Sequence, residues 1–442
     1  MVASQAAHHL VHVFMNPIAR WLLGRRFYYG WVVTGAAGMA MFSGAPLAVS
    51  SISVFVIPIS EEFGWTRTAF AGAISLASLV GAMVGPLMGR WTDKHGGRFL
   101  LGGGTAVVGF AMLGLSFVHN LVLFYLLLII GRGMMMSVEN LVGTTTVSKW
   151  FVRRRALANA LAMLSSRAGL GLWPALAAFL FTIGDWRLAM QVIGTLVLVF
   201  SLVPMVLIVA RRPEDLNLGL DGDAPVELMD DGTGASVVQA GEQEWTARQA
   251  LRTRAFWLLT FASMATAVCG AGLGVHRIPY FIERGMDPVQ AGPLLISFAA
   301  GMGVGGFAAA YLSTRISLRK VLALLMFLWM GLIVALLNIP INPIIFVYAF
   351  AEGMMLGGFL AMNPVIYALY FGRGSLGTIR GLSHPMVLGA NAFGPIYAAV
   401  IYDATGQSYT IAFMSFGAFM GLSALLALFA KPPKPLRTVA AL

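Results

Sequence analysis

Long apolar stretches separated by short polar joints recur along the whole chain. A membrane-spanning helix needs about 20 mainly apolar residues. By that measure the pattern predicts spans at 28–57, 66–88, 99–118, 121–147, 156–182 and 186–210, and again at 255–282, 288–312, 319–338, 340–370, 376–402 and 406–430. The expected fold class is an all-α membrane protein of 12 transmembrane helices in two six-helix bundles. Between the two sets the pattern fails. Residues 211–254 hold half of the 18 acidic residues, among them Glu214, Asp221, Asp230 and Glu242, and read as a mostly disordered cytoplasmic linker. Trp245 to Arg254 regains an amphipathic period and predicts a short surface helix leading into the seventh span. Residues 1–27, with Trp21, Leu22 and Leu23 among arginines, predict a segment lying on the membrane surface and not a cleaved signal peptide. The expected organisation is an interfacial segment 1–27, a bundle 28–210, a linker 211–254, a second bundle 255–430 and a tail 431–442.

Composition sharpens this picture. Of 442 residues, 58% are hydrophobic and 11% charged, against about 25% charged in soluble domains, too few to solvate a surface. A net charge of +11 would suggest nucleic acid until its positions are read. With twelve spans both termini share one side, and that side takes Arg25, Arg26, Arg90, Lys94, Arg98, Lys149, Arg153 to Arg155 and the linker arginines, while the other takes only Arg67, Arg187 and Arg284. The positive-inside rule then puts both termini in the cytoplasm of a multi-pass protein of the cell's inner (plasma) membrane, with lipid and not nucleic acid as its partner. The one cysteine, Cys269, lies in an apolar run, which excludes a disulfide framework or a multi-cysteine metal site. No Ser/His/Asp or metal constellation stands out, so neither an enzyme nor a cofactor is expected.

An internal repeat appears at an offset near 220 residues. Gly131-Arg132-Gly133-Met134-Met135-Met136 aligns with Ala351-Glu352-Gly353-Met354-Met355-Leu356, and Trp150-Phe151 aligns with Tyr370-Phe371. Duplicated six-helix halves in one orientation imply a transporter built from two bundles. Gly81 to Gly85 and Gly301 to Gly306 predict close helix crossings.

Between the second and third spans stands Gly89-Arg90-Trp91-Thr92-Asp93-Lys94-His95-Gly96-Gly97-Arg98. It resembles the G-x-x-x-D-(R/K)-x-G-(R/K)-(R/K) signature of the major facilitator superfamily, with Gly97 at one basic position. Tyr29-Gly30-Trp31, Glu61-Glu62-Phe63-Gly64-Trp65-Thr66-Arg67, Arg211-Arg212-Pro213-Glu214-Asp215 and Gly377-Thr378-Ile379-Arg380-Gly381 narrow the resemblance to the bacterial monocarboxylate-transporter-like branch, which includes the oxalate/formate antiporters. The resemblance implies secondary transport of small organic anions, mono- or dicarboxylates, by alternating access, with protons or exchange as the coupling, in a monomer. It also implies gating roles for Gly89, Asp93 and Arg98, with Asp93 meeting basic residues such as Arg153 to Arg155. Two positions depart from the branch. Pro46 is followed by Leu47 where the animal transporters carry a lysine, and Leu294 to Ala310 has no charge where the branch carries an arginine.

Charges within spans face a cavity, find a partner, or do both. Arg132 and Glu139 share nearly one face of the fourth span, about 22 and 12 Å from its inner end, and Arg167 lies about 18 Å along the fifth. Either the three form an Arg–Glu–Arg cluster with surplus positive charge for a carboxylate, Glu139 being a proton or gating group, or Glu139 and Arg167 simply lock the two spans. Glu352, at the repeat position of Arg132, reads as an inter-bundle lock, a proton site or a packing residue. Arg277 follows Gly270, Gly272 and Gly274 and precedes Pro279, which predicts an irregular, cavity-lining seventh helix; interfacial snorkelling is the alternative. Asn140, Asn363 and Asn391 can donate to a carboxylate or to a neighbouring helix. The substrate-binding set expected is therefore Arg132, Glu139, Asn140, Arg167, Arg277, Glu352, Asn363 and Asn391. Efflux of amphipathic drug-like compounds is the alternative within transport, and a transporter-derived membrane sensor or receptor the alternative outside it.

Overall fold

A computed structural model describes residues 28–65, 67–199, 216, 218–222, 245–287 and 290–433, without the side chains of 49, 50, 67, 68, 71, 137–140, 222 and 291. The segment 1–27, most of the linker and the end of the tail lie outside it. Its helices are α1 Tyr29–Gly44, α2 Arg67–His95, α3 Gly97–Leu115, α4 Leu121–Trp150, α5 Arg155–Leu180 and α6 Trp186–Val197. They continue with α7 Arg254–Glu283, α8 Ala291–Leu312, α9 Leu318–Leu336, α10 Ile344–Phe371, α11 Leu376–Ala404 and α12 Thr410–Phe429. Among the described residues there is no strand, and nine helices are long and apolar enough to cross a membrane. Large side chains such as Met83, Phe99, Val122 and Ile296 are largely exposed, an arrangement that water does not tolerate over so many positions and lipid does. The chain divides into two compact units, Met1–Gly241 and Glu242–Leu442.

The first span is not the single helix expected over 28–57. Helix α1 stops at Gly44, a 3₁₀ turn covers Ala45–Leu47, and short helical pieces Val49–Ile52 and Val56–Phe63 carry the chain on to Gly64. Pro46 is the cause. It has no N–H for the carbonyl four residues back, and its ring crowds that carbonyl. The Phe42 carbonyl accepts instead from the Ala45 N–H one residue early and from the Trp173 indole at 2.8 Å. The Trp173 and Phe42 rings also pack 5.0 Å apart. A second irregularity lies in α4, which is α-helical to Ser137, π-helical over Val138–Gly143 and α-helical again from Thr144.

The two units close in repeat register. In the first, α2 crosses α4 where the Gly81 position faces the Gly133 backbone. In the second, α8 and α10 pack backbone to backbone: a Cβ at Gly353 would strike the Phe298 carbonyl, and one at Gly357 that of Met302. The glycine beside each repeat charge thus admits the second helix of its own bundle. Gly97 is a similar case, since a side chain there would collide with Thr146, which explains the missing basic residue in the motif.

Helix α7 runs unbroken through Pro279, contrary to the irregular segment expected. Its glycines serve contact instead, Gly272 against Phe416 and the Gly394 carbonyl, and Gly270 against Trp329. The short helix before it, Ala247–Leu251, begins with a capping box between Thr246 and Gln249. Within the linker, a turn at Leu220–Gly222 brings the Asp221 carboxylate to the backbone N–H groups of Val152, Arg153 and Arg154 at 3.0, 2.8 and 3.1 Å. Asp221 thereby caps the start of α5 from outside it.

Candidate functional site

Each unit carries a buried arginine on a spanning helix. In the first, Arg132 of α4 is 5% exposed. Its Nη1 donates to the Leu47 carbonyl at 2.5 Å and its Nε to the Ser78 hydroxyl at 3.2 Å. Leu47 ends the 3₁₀ turn set by Pro46, so the break in α1 leaves a carbonyl turned away from the helix ladder and the guanidinium takes it. Ser78 on α2 donates onward to the Ile74 carbonyl at 2.8 Å. Glu139 and Asn140 sit in the π-helical turn, a feature common at functional sites. Their side chains lie outside the described set, so the expected Glu139 contact with Arg167 does too. Arg167 itself is half-buried on α5.

In the second unit, Arg277 of α7 and Glu352 of α10 are each 1% exposed. Arg277 Nη1 donates to Glu352 Oε2 at 2.5 Å. Of the readings open for Arg277, burial against an acid does not fit interfacial snorkelling. Glu352 has its charge met inside its own bundle. The Phe298 ring of α8 lies under the guanidinium with its centroid 4.3 Å from Cζ. Two polar atoms nearby, Arg277 Nε and the Tyr348 hydroxyl one turn from Glu352, are buried without a hydrogen-bond partner among the described residues. A fully desolvated pair with unused hydrogen-bonding capacity is costly to build and is poised to accept one more polar group.

Below the pair, Asn363 donates to the Ser263 hydroxyl at 2.7 Å and the Thr260 and Tyr367 hydroxyls meet at 3.0 Å, joining α7 to α10. Asn391 is exposed on α11 and stands apart from these contacts. Beside it on the outer turns, His276 lies 3.0 Å from the Pro395 carbonyl and 3.1 Å from the Tyr409 hydroxyl.

Among the gating residues, Gly89 is buried on α2, and Asp93 one turn on accepts from Lys149 at 2.8 Å, with Lys149 also reaching the Thr92 carbonyl at 3.4 Å. A partner of Asp93 is thus the last-turn lysine of α4, in addition to the Arg153 to Arg155 contacts expected. Arg155 donates to the carbonyls of Ser148 and Phe151 at 3.0 and 2.8 Å, which fixes the α4–α5 turn. Arg98 is half-buried in the first turn of α3. Lys149, Tyr348, Phe298, Ser78 and the Leu47 carbonyl are the residues that sequence reading passed over.

The sequence model of the Major Facilitator Superfamily matches residues 38–300 and 278–441. Monocarboxylate transporter 12 of Rattus norvegicus is 26% identical over 92% of this chain and 87% of its own length. Human monocarboxylate transporter 6 is 35% identical over 32% of this chain, a match that spans 28% of that protein. An MFS-type transporter of Bacillus subtilis (strain 168), YcxA, is 22% identical over 86% of this chain and 90% of its own length. The E. coli fucose:proton symporter FucP shares the fold, with a TM-score of 0.66 at 14% identity over 91% of this chain and 98% of that one. The motif, the repeated bundles and these matches agree: the chain belongs to the Major Facilitator Superfamily and is a monocarboxylate-transporter-like, multi-pass membrane transporter of all-α fold, not an enzyme.

Proposed function

We propose that this transporter moves small organic anions, mono- or dicarboxylates, by alternating access with proton coupling, and that Arg277 and Glu352 form its coupling pair. The observation that carries the reading is the buried contact at 2.5 Å between them. In the empty protein Glu352 occupies the guanidinium. Protonation of Glu352 frees Arg277 to bind a substrate carboxylate, and the spare Nε and Tyr348 hydroxyl supply further donors. Proton and anion then enter together, because a bare guanidinium or a bare carboxylate in this interior is strongly disfavoured. Relatives named as monocarboxylate transporters support the substrate class. Arg132, Glu139, Asn140, Arg167, Asn363 and Asn391 remain second candidates for the anion, and Asp93 with Gly89 and Arg98 for gating. Drug efflux, which favours an apolar aromatic cavity, fits a buried ion pair poorly.

The test is uptake into proteoliposomes across a panel of labelled carboxylates, with and without an inward proton gradient. The reading expects at least one carboxylate to accumulate with the gradient and neutral analogues of equal size to be excluded. Gradient-independent uptake of neutral amphipathic compounds, with no carboxylate carried, would overturn it.

A further inference from the structure

Where α7 begins and α12 ends, the second unit has an open cleft of about 350 Å³ whose lining includes Trp245, Gln249, Arg252, Arg254, Lys431 and Pro432. Its three cations are exposed, and among the described residues none has an acidic partner. The floor is rigid. Trp245 is buried and donates its N–H to the Phe371 carbonyl at 3.1 Å. Thr246 and Gln249 cap the short helix reciprocally, and Thr253 accepts from the Phe256 N–H at the start of α7 at 3.2 Å.

Exposed apolar side chains follow the cleft along both helices. Trp257 and Phe261 follow Arg254 at i+3 and i+7, one face of α7, and both are exposed, with rings 5.8 Å apart. Leu425 and Phe429, exposed on the last turns of α12, lead down to Lys431. Cations at the end of the spans, an indole at headgroup level and apolar flanks beyond them match an anionic glycerophospholipid, headgroup in the cleft and acyl chains on the flanks. Free phosphate would use the cations and leave the flanks idle.

We propose that this cleft is a binding site for the phosphate of an anionic phospholipid, seated on Arg252, Arg254 and Lys431. The probe is phosphatidylglycerol added to the detergent-purified full chain, with phosphatidylcholine and inorganic phosphate as controls. Phosphatidylglycerol is expected to raise the melting temperature and to persist as an adduct in native mass spectra, while neither control does so. The variant Arg252→Gln/Arg254→Gln/Lys431→Gln should bind it roughly a hundredfold more weakly. Arg315→Gln/Arg319→Gln/Lys320→Gln, which removes as many cations from the joint between α8 and α9, should bind as the parent does. A photoreactive phosphatidylglycerol on the unmodified protein should label peptides containing Trp257 or Lys431, a readout that needs no variant to fold. Equal stabilisation by inorganic phosphate, equal loss in both triple variants, or labelling confined to other faces would overturn the proposal.

Discussion

The two bundles meet one problem, a buried guanidinium on a spanning helix, in different ways. In the first, Arg132 takes a main-chain carbonyl set free by the Pro46 break in α1. In the second, the helices around Arg277 are continuous, their carbonyls are engaged in their own ladders, and the guanidinium takes a carboxylate. An irregular backbone supplies dipoles that a regular helix cannot offer. In the second bundle the group that meets the arginine is a charge, Glu352, which stands at the repeat position of Arg132.

The largest expected effect comes from splitting the second bundle's solution. Arg277→Met or Glu352→Ala alone leaves one buried charge uncompensated and should cost about 3–5 kcal/mol. Arg277→Met with Glu352→Ala should recover most of that loss in detergent melting curves. A double variant as unstable as the sum of the singles would mean that the two residues act independently. Next comes backbone packing. Gly353→Ala, which drives a methyl into the Phe298 carbonyl, should destabilise by about 1–3 kcal/mol. Its repeat counterpart Gly133→Ala meets only ordinary contacts from 3.6 Å outward and should be milder. Equal melting temperatures for the two variants would remove the tighter closure assigned to α8 and α10.

Pro46→Ala tests the first bundle's solution. It restores an N–H for Phe42, so the melting temperature should hold or rise while transport slows, because the Leu47 carbonyl turns back toward its own helix. Unchanged transport would detach the break from function. The smallest effect belongs to the exposed pair at the outer joint. There Glu62 accepts from Arg187 at 2.6 and 2.7 Å and from the Trp186 indole at 2.7 Å. These bonds hold the Glu62 carboxyl below its ordinary value. The stabilisation is therefore present above the ordinary carboxylate pKa and is lost as pH falls through the lowered one. Being exposed, the pair should contribute under about 1 kcal/mol, and Glu62→Gln should flatten the acid limb of the melting profile by that amount.

Most span positions were legible because an apolar run of fixed length has few alternatives in a membrane. The repeat was legible too, and the close crossings expected at Gly81 to Gly85 and Gly301 to Gly306 fall at Gly81, Gly301 and Gly305. The partner of Arg277 was not read, although a depth count carries the signal. Glu352 lies about 27 Å from the inner end of its helix and Arg277 about 34 Å along α7, a difference a long arginine side chain can bridge. The repeat drew Glu352 toward Arg132 instead, since residue spacing within a helix says nothing of which neighbour it faces. Lys149 was read as a loop cation because the end of α4 was placed at 147, three residues early. The π turn at Val138–Gly143 had no sequence signature, and the break after Gly44 had only Pro46.

The most direct test of proton-coupled anion transport through the second bundle is Glu352→Gln in proteoliposomes, loaded with the carboxylate the parent carries and assayed for exchange and for gradient-driven accumulation. A neutral amide mimics the protonated acid, so exchange should persist while accumulation driven by the proton gradient disappears. Accumulation equal to the parent's in a folded Glu352→Gln protein would contradict the coupling role of the pair.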